Sequence, residues 1–152
     1  MAKRRVLTGN DTHIINGRIL KDFVNGDCVI HEFSEDLSSM VKGKNGNTII
    51  TYHPQGEIDK STYKVMRGSD DHKFLLGIIS EFRANPAGFA LMTGESIKNI
   101  GDGSQNVAAD TLILGAGIPK KLQNMKDNAD GDATQAIVEI EITWGEITET
   151  IS

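Results

Sequence analysis

The sequence predicts a mainly β domain that carries one α-helix, and three observations lead there. Asn-Gly pairs stand at Asn16-Gly17, Asn25-Gly26 and Asn45-Gly46; both residue types tolerate the positive φ that tight type I′ hairpin turns require. Val138, Ile140, Ile142 and Trp144 alternate with Glu139, Glu141 and Thr143, the two-residue period of a strand with one face in a core. One stretch has helical spacing instead. Phe74, Leu75, Ile78, Ile79 and Phe82 recur one and three residues apart, which gathers them on one face of a helix.

The elements follow in chain order. The first two Asn-Gly turns separate strands near 12–15, 18–24 and 27–34, which together read as a β-meander. Residues 35–48 are polar, contain Gly43 and Gly46, and carry Lys42 and Lys44. The stretch is too long for a minimal turn and is expected to project as an extended loop between two strands. Strand character returns over Thr48–His53 and Ser61–Met66, on either side of Pro54-Gln55-Gly56. Ser69 is a good N-cap, and Asp70 and Asp71 place negative charge at the positive end of the helix dipole. Asn85-Pro86 ends the helix, whose apolar face is expected to cover a sheet. Gly88–Thr93 and Ser96–Ile100 then read as strands broken at Gly94-Glu95, followed by a turn at Gly101–Ser104 and a short strand at Thr111–Leu114. A polar loop is expected over Lys120–Ala133, before the alternating strand at 138–144. Neither an internal repeat nor a linker interrupts the chain, so residues 1–152 are expected to form one domain with 1–10 as a flexible arm.

Composition adds a bias towards assembly. The chain has 152 residues, 16 of them glycine, with 38% hydrophobic and only 5% aromatic residues. That mixture suits a turn-rich β protein, or one that hides part of its apolar surface only when it associates. The net charge of −5 is segregated: residues 1–100 carry a net of +1 and residues 101–152 a net of −6, which hints at a face with an electrostatic role. Cys28 is the only cysteine, so no intrachain disulfide is possible and a reducing compartment is expected. The basic start Met1–Arg5 is followed at once by Thr8, Asn10, Asp11, Thr12 and His13, so neither a signal peptide nor a membrane span is expected.

The search for reaction chemistry returns no candidate. Asp127-Asn128-Ala129-Asp130-Gly131-Asp132 resembles a calcium loop, but aligning Gly131 with the loop glycine puts Lys126 and Ile137 at ligand positions. Ser61-Thr62-Tyr63-Lys64 fits a Ser-x-x-Lys pattern without its companion boxes, and on a strand. Gly115-Ala116-Gly117 lacks the third glycine of a dinucleotide site. His13, His31, His53 and His72 are scattered, and Cys28 and His31 on one strand point to opposite faces. No catalytic residue, metal site or cofactor is expected.

Four segments then take on meaning together: Val24–Asp27, Lys42–Thr48, Arg67–Asp71 and Leu91–Glu95. Their order and surroundings, over roughly residues 12–145, resemble the tail tube protein of contractile-tailed bacteriophages, itself related in form to the tubes of type VI secretion systems and tailocins. The resemblance implies two packed antiparallel sheets, a sandwich or barrel with one helix. It also implies rings of six subunits whose inner sheets join into a continuous barrel and which stack into a tube inside a sheath. The implied partners are further copies of the chain, the sheath protein, a tape measure protein and, transiently, DNA in the lumen; no membrane is involved. The implied location is a virion tail assembled in the bacterial host cytoplasm. On this reading Leu37, Met40, Val41, Lys42, Lys44 and Asn45 are expected to contact neighbouring subunits, and Glu139 and Glu141 to face the channel, where like charge discourages phosphate from sticking. Cys28 has no place in the pattern. A tailocin or secretion-system tube, and a monomeric β-sandwich binding module, are the alternatives.

Overall fold

A computed structural model describes residues 4–9, 11–33, 37–52, 59–121 and 133–151. The protein is mainly β, with one helix and two antiparallel sheets. The strands are β1 (Val6–Leu7), β2 (Thr12–Ile15), β3 (Arg18–Leu20), β4 (Val29–Phe33), β5 (Ser38–Lys42), β6 (Thr48–Tyr52), β7 (Asp59–Met66), β8 (Met92–Gly101), β9 (Val107–Lys121) and β10 (Ile137–Ile151); helix α1 spans Asp70–Ala84. The large sheet runs β3-β2-β8-β9-β10-β7-β4, with β1 also on β8, while β5 and β6 pair only with each other.

The large sheet rolls over on itself. β2 and β8 lie towards one end of the order and β4 at the other, yet His31 of β4 reaches Ser96 of β8 at 2.8 Å, and the His13 and His31 rings lie 6.2 Å apart. β9 and β10, each 15 residues long, run through both layers of the roll. Between the layers lie Ile15, Leu20, Tyr63, Val65, Met92, Leu112, Leu114, Val138, Ile140, Ile142 and Trp144. Leu75, Ile78 and Ile79 of α1 complete this core, with Phe74 packed at its margin and the Phe82 ring edge-on to Phe89. Each of the largest side chains stabilises the fold by roughly 1.5–3 kcal/mol through burial.

Trp144 organises the bend. Its side chain is fully buried, and a Cβ added at Gly117 would lie 2.4 Å from the indole, one at Gly94 2.8 Å. The two glycines therefore provide the space that the ring fills. Ala116 sits in the left-handed region at φ 52°, and the β9–β10 register shifts at Glu141/Ile142. The Gly115-Ala116-Gly117 run thus serves packing and curvature.

Several boundaries depart from the sequence reading, each for a physical reason. β3 ends at Leu20 because the amides of Lys21 and Asp22 turn to the Asp71 carboxylate, 2.6 and 2.7 Å away; Phe23 makes only an isolated bridge to Val65. No break occurs at Gly94-Glu95, which pair continuously with Leu114 and Ile113; the register shift of β8 lies just before, between Met92 and Gly94, and the strand does not include residues 88–91. The short strand foreseen at 111–114 is the middle of β9, and Lys120 and Lys121, placed in a loop, close that strand. β10 continues beyond Trp144 to Ile151. Val6 and Leu7 in the expected arm pair with Gly101 and Ile100. Residues 122–132 and Pro54-Gln55-Gly56 lie outside the described residues. The helix is as foreseen: Ser69 accepts from the His72 amide at 3.2 Å, and Asn85 is the C-cap. Asn16 and Gly17 have φ of 49° and 83°, the two positive values of a type I′ turn.

Candidate functional site

A group of well-exposed apolar residues gathers on the β5–β6 hairpin. Register pairs Ser38 with Tyr52, Met40 with Ile50, Val41 with Ile49 and Lys42 with Thr48. Directly opposed residues share a face, so Met40, Ile50 and Tyr52 line one side, and Val41 and Ile49 the other. All five are 57–69% exposed, and Leu37 is 58% exposed. Within the segment 35–48, residues 38–47 are therefore the first strand and turn of a regular hairpin rather than an unpaired loop, while residues 35 and 36 lie outside the described residues. In the turn the Gly43 amide bonds the Asn47 carbonyl at 2.7 Å, Gly46 has φ 91°, and the Asn45 side chain accepts from the Asn47 amide at 3.4 Å. Lys42 precedes that turn and Lys44 lies within it, and residues 37–52 contain no acidic side chain. In the chain this hairpin, an arm that pairs only with itself, falls between β4 and β7, which pair with each other up to Phe33 and Asp59.

Glu139 and Glu141 lie on the face of β10 turned away from the core, as their alternation predicts. Each has a cationic neighbour on β7. Lys64 is 3.7 Å from Glu139, and Lys60 is 3.4 Å from Glu141. The acidic row is thus matched by a basic one, and its local field is largely cancelled. Such exposed pairs contribute at most about 1 kcal/mol each.

A cleft of about 640 Å³ opens where the two ends of the rolled sheet meet. Beneath it runs a chain of hydrogen bonds crossing five strands, β10, β7, β4, β8 and β2. The Trp144 indole N–H donates to Ser61 Oγ at 2.8 Å, Ser61 pairs with His31 Nδ1 at 2.6 Å, His31 Nε2 with Ser96 Oγ at 2.8 Å, and Ser96 with His13 Nδ1 at 2.9 Å. One consistent pattern has each serine hydroxyl donating to a histidine Nδ1, with both rings neutral. Burial, with the facing His31, lowers His13 from the ordinary 6.5 to about 4. Of the four histidines expected to be scattered, His13 and His31 are thus brought together by the roll, while His72 lies on α1 and His53 lies outside the described residues. Cys28 precedes β4 and lines the same cleft as His31, but both His31 ring nitrogens are engaged by serines, so no Cys–His nucleophile pair forms.

At the rim, Glu149 hydrogen-bonds Asp110, and that contact with its like charge holds the Glu149 carboxyl above its ordinary value. Glu149 reaches the rim because the alternation of β10 slips at Gly145: both Trp144 and Ile147 turn inward, and Glu149 follows Ile147. Asp71 is a further residue that sequence reasoning underestimated. It is fully buried and receives Arg18 Nε at 3.1 Å besides the two amides of the β3 end, tying α1 to β3. Among the described residues no three His, Cys, Asp or Glu side chains gather as a metal site, and no helix is long and apolar enough to cross a membrane.

No family model matches the chain, and no curated protein resembles it in sequence. Its fold, however, is similar to several solved structures. One is from the sheath–tube complex of an extracellular contractile injection system, PVC, in the extended state, at 14% identity and TM-score 0.65, covering 93% of this chain and 88% of that one. Another is from the cap that terminates the tube of the anti-feeding prophage, at 10% identity and TM-score 0.65, covering 100% and 95%. A third is from the PVC sheath/tube terminator, at 14% identity and TM-score 0.60, covering 97% and 96%. The chain therefore has a fold related to that of components of contractile injection systems.

Proposed function

We propose that this protein is a structural subunit which assembles with copies of itself into the inner tube of a contractile tail. The observation that carries the reading is the β5–β6 hairpin, whose two faces both expose apolar side chains. A two-stranded hairpin is marginal by itself in water, and apolar groups on both faces are covered only if it lies between other surfaces. Leu37, Met40 and Val41 supply apolar contact in this account, Lys42 and Lys44 supply charge, and Asn45 shapes the turn that presents them. The fold likeness supports the same reading, since the similar structures come from sheath–tube and tube-terminating assemblies.

In the finer form of the proposal, six subunits close a ring and rings stack inside a sheath. A tape measure protein and then DNA occupy the lumen, Glu139 and Glu141 face it, and the particle is built in the cytoplasm of a bacterial host. No step in this account is catalytic. A second reading, favoured by the extracellular injection system and the tube-terminating cap among the similar structures, is a tube or tube-capping component of an injection particle. Electron microscopy of the purified, concentrated protein is the test. Rings or stacked tubes are expected, capped short stacks favour the second reading, and dispersed monomers would return the chain to the class of β-sandwich binding modules.

A further inference from the structure

The cleft at the junction of the rolled sheet's ends is not used by the assembly account above. Its rim is acidic: among the described residues Asp11, Asp27, Asp110 and Glu149 line it against a single cation, Lys98, which is already held by Asp11 at 2.7 Å. Its walls are apolar and aromatic, with Phe23, Val29 and Phe33 along one side, and Phe33 is 53% exposed. The hairpin tip is the complement of this surface in both respects. It presents Lys42 and Lys44 with no carboxylate between residues 37 and 52, and beside them the exposed Met40 and Val41.

We propose that the acidic cleft of one copy receives the β5–β6 turn of a second copy, with Lys42 and Lys44 meeting Asp110 and Glu149 while Met40 or Val41 lies against Phe33. The inference rests on the self-assembly reading and names the surface that the hairpin grips. Two features favour this occupant. Asp110 and Glu149 lie side by side on neighbouring strands, each disfavouring the other's charge so that the Glu149 carboxyl is held above its ordinary value, a repulsion that an incoming ammonium relieves. The cleft volume of about 640 Å³ is also ample for a tight turn and its flanking side chains, since sites that hold drug-sized ligands span roughly 300–1,000 Å³.

A charge exchange tests the pairing. The variants are Lys42→Glu with Lys44→Glu on the hairpin, Asp110→Lys with Glu149→Lys at the cleft, and all four together. All four positions lie in turns or on accessible strands, and thermal melting of each variant against wild type establishes that the subunit is folded. Each double variant is expected to raise the protein concentration at which assemblies sediment by at least tenfold, and the fourfold variant to recover most of that loss. Unimpaired assembly of either double variant would overturn the pairing, as would a folded fourfold variant no better than the doubles, while self-assembly itself would stand. Wild-type protein that stays monomeric at every concentration would overturn both.

Discussion

Trp144, Asp71 and His13 show how single residues hold this fold. The indole of Trp144 lies against Gly94 and Gly117, so Gly117→Ala puts a methyl group 2.4 Å from ring carbons in a core that cannot expand. That substitution is expected to cost about 3 kcal/mol in urea denaturation. Gly77→Ala is the control. Nothing lies within 4 Å of its Cβ position on the exposed side of α1, and the gain in helix propensity is expected to add about 0.5–1 kcal/mol. Asp71→Ala removes the acceptor of two backbone amides and of Arg18, with an expected loss of about 3 kcal/mol. Asp71→Asn retains one acceptor oxygen and should lose less. His13 titrates near 4 when folded, because burial disfavours its charged form, and at its ordinary 6.5 when unfolded. Its contribution to stability is therefore complete above pH 6.5 and declines as pH falls towards 4, since only the unfolded chain takes up the proton across that window. Denaturation at pH 7 and pH 5 should show a smaller acid loss for His13→Gln than for wild type. An equal loss in both would place the cause elsewhere.

Elements were legible where their signals are local. The N-cap Ser69, the Phe74–Phe82 stripe and Asn85-Pro86 bound α1 within one residue of its actual ends, because capping and amphipathicity are written within a single turn or two. Accordingly, Ile78→Asp should destabilise the subunit by about 4 kcal/mol through an unpaired charge in the core, measured by thermal melting. The strand signals were less complete. β10 alternates up to Trp144, then changes phase at Gly145, and a period search stops there although the strand continues to Ile151. The arm was recognised by its length and polarity, but its pairing was missed, since Met40 and Val41 adjacent to Ile49 and Ile50 give no alternation when both faces carry apolar groups. The His13–Ser96–His31–Ser61–Trp144 chain was invisible for another reason: its directly bonded members are up to 83 residues apart, and only the roll of the sheet unites them. Replacing residues 38–52 by a two-residue Asn-Gly turn should leave the subunit folded, since the hairpin pairs only with itself. Circular dichroism and melting check that outcome.

At the scale of the whole molecule, the rolled sheet and its helix make a body that buries its own core, and the arm is the part that does not. The outward face shared by β7 and β10 is electrically balanced by Lys60 and Lys64 against Glu139 and Glu141. Changing both glutamates to lysine would leave four cations there. If this face lines the channel, tails should still form while DNA passage slows through phosphate binding, an effect read as normal particles of low infectivity. The central claim is that the arm holds copies of the chain together. Sedimentation velocity of the wild-type protein beside the variant lacking residues 38–52, across a range of concentrations, tests it most directly. Wild type is expected to form fast-sedimenting species of ring size and larger, and the shortened chain to remain a folded monomer. Wild type that sediments as a monomer throughout, or a shortened chain that assembles equally well, would contradict the account.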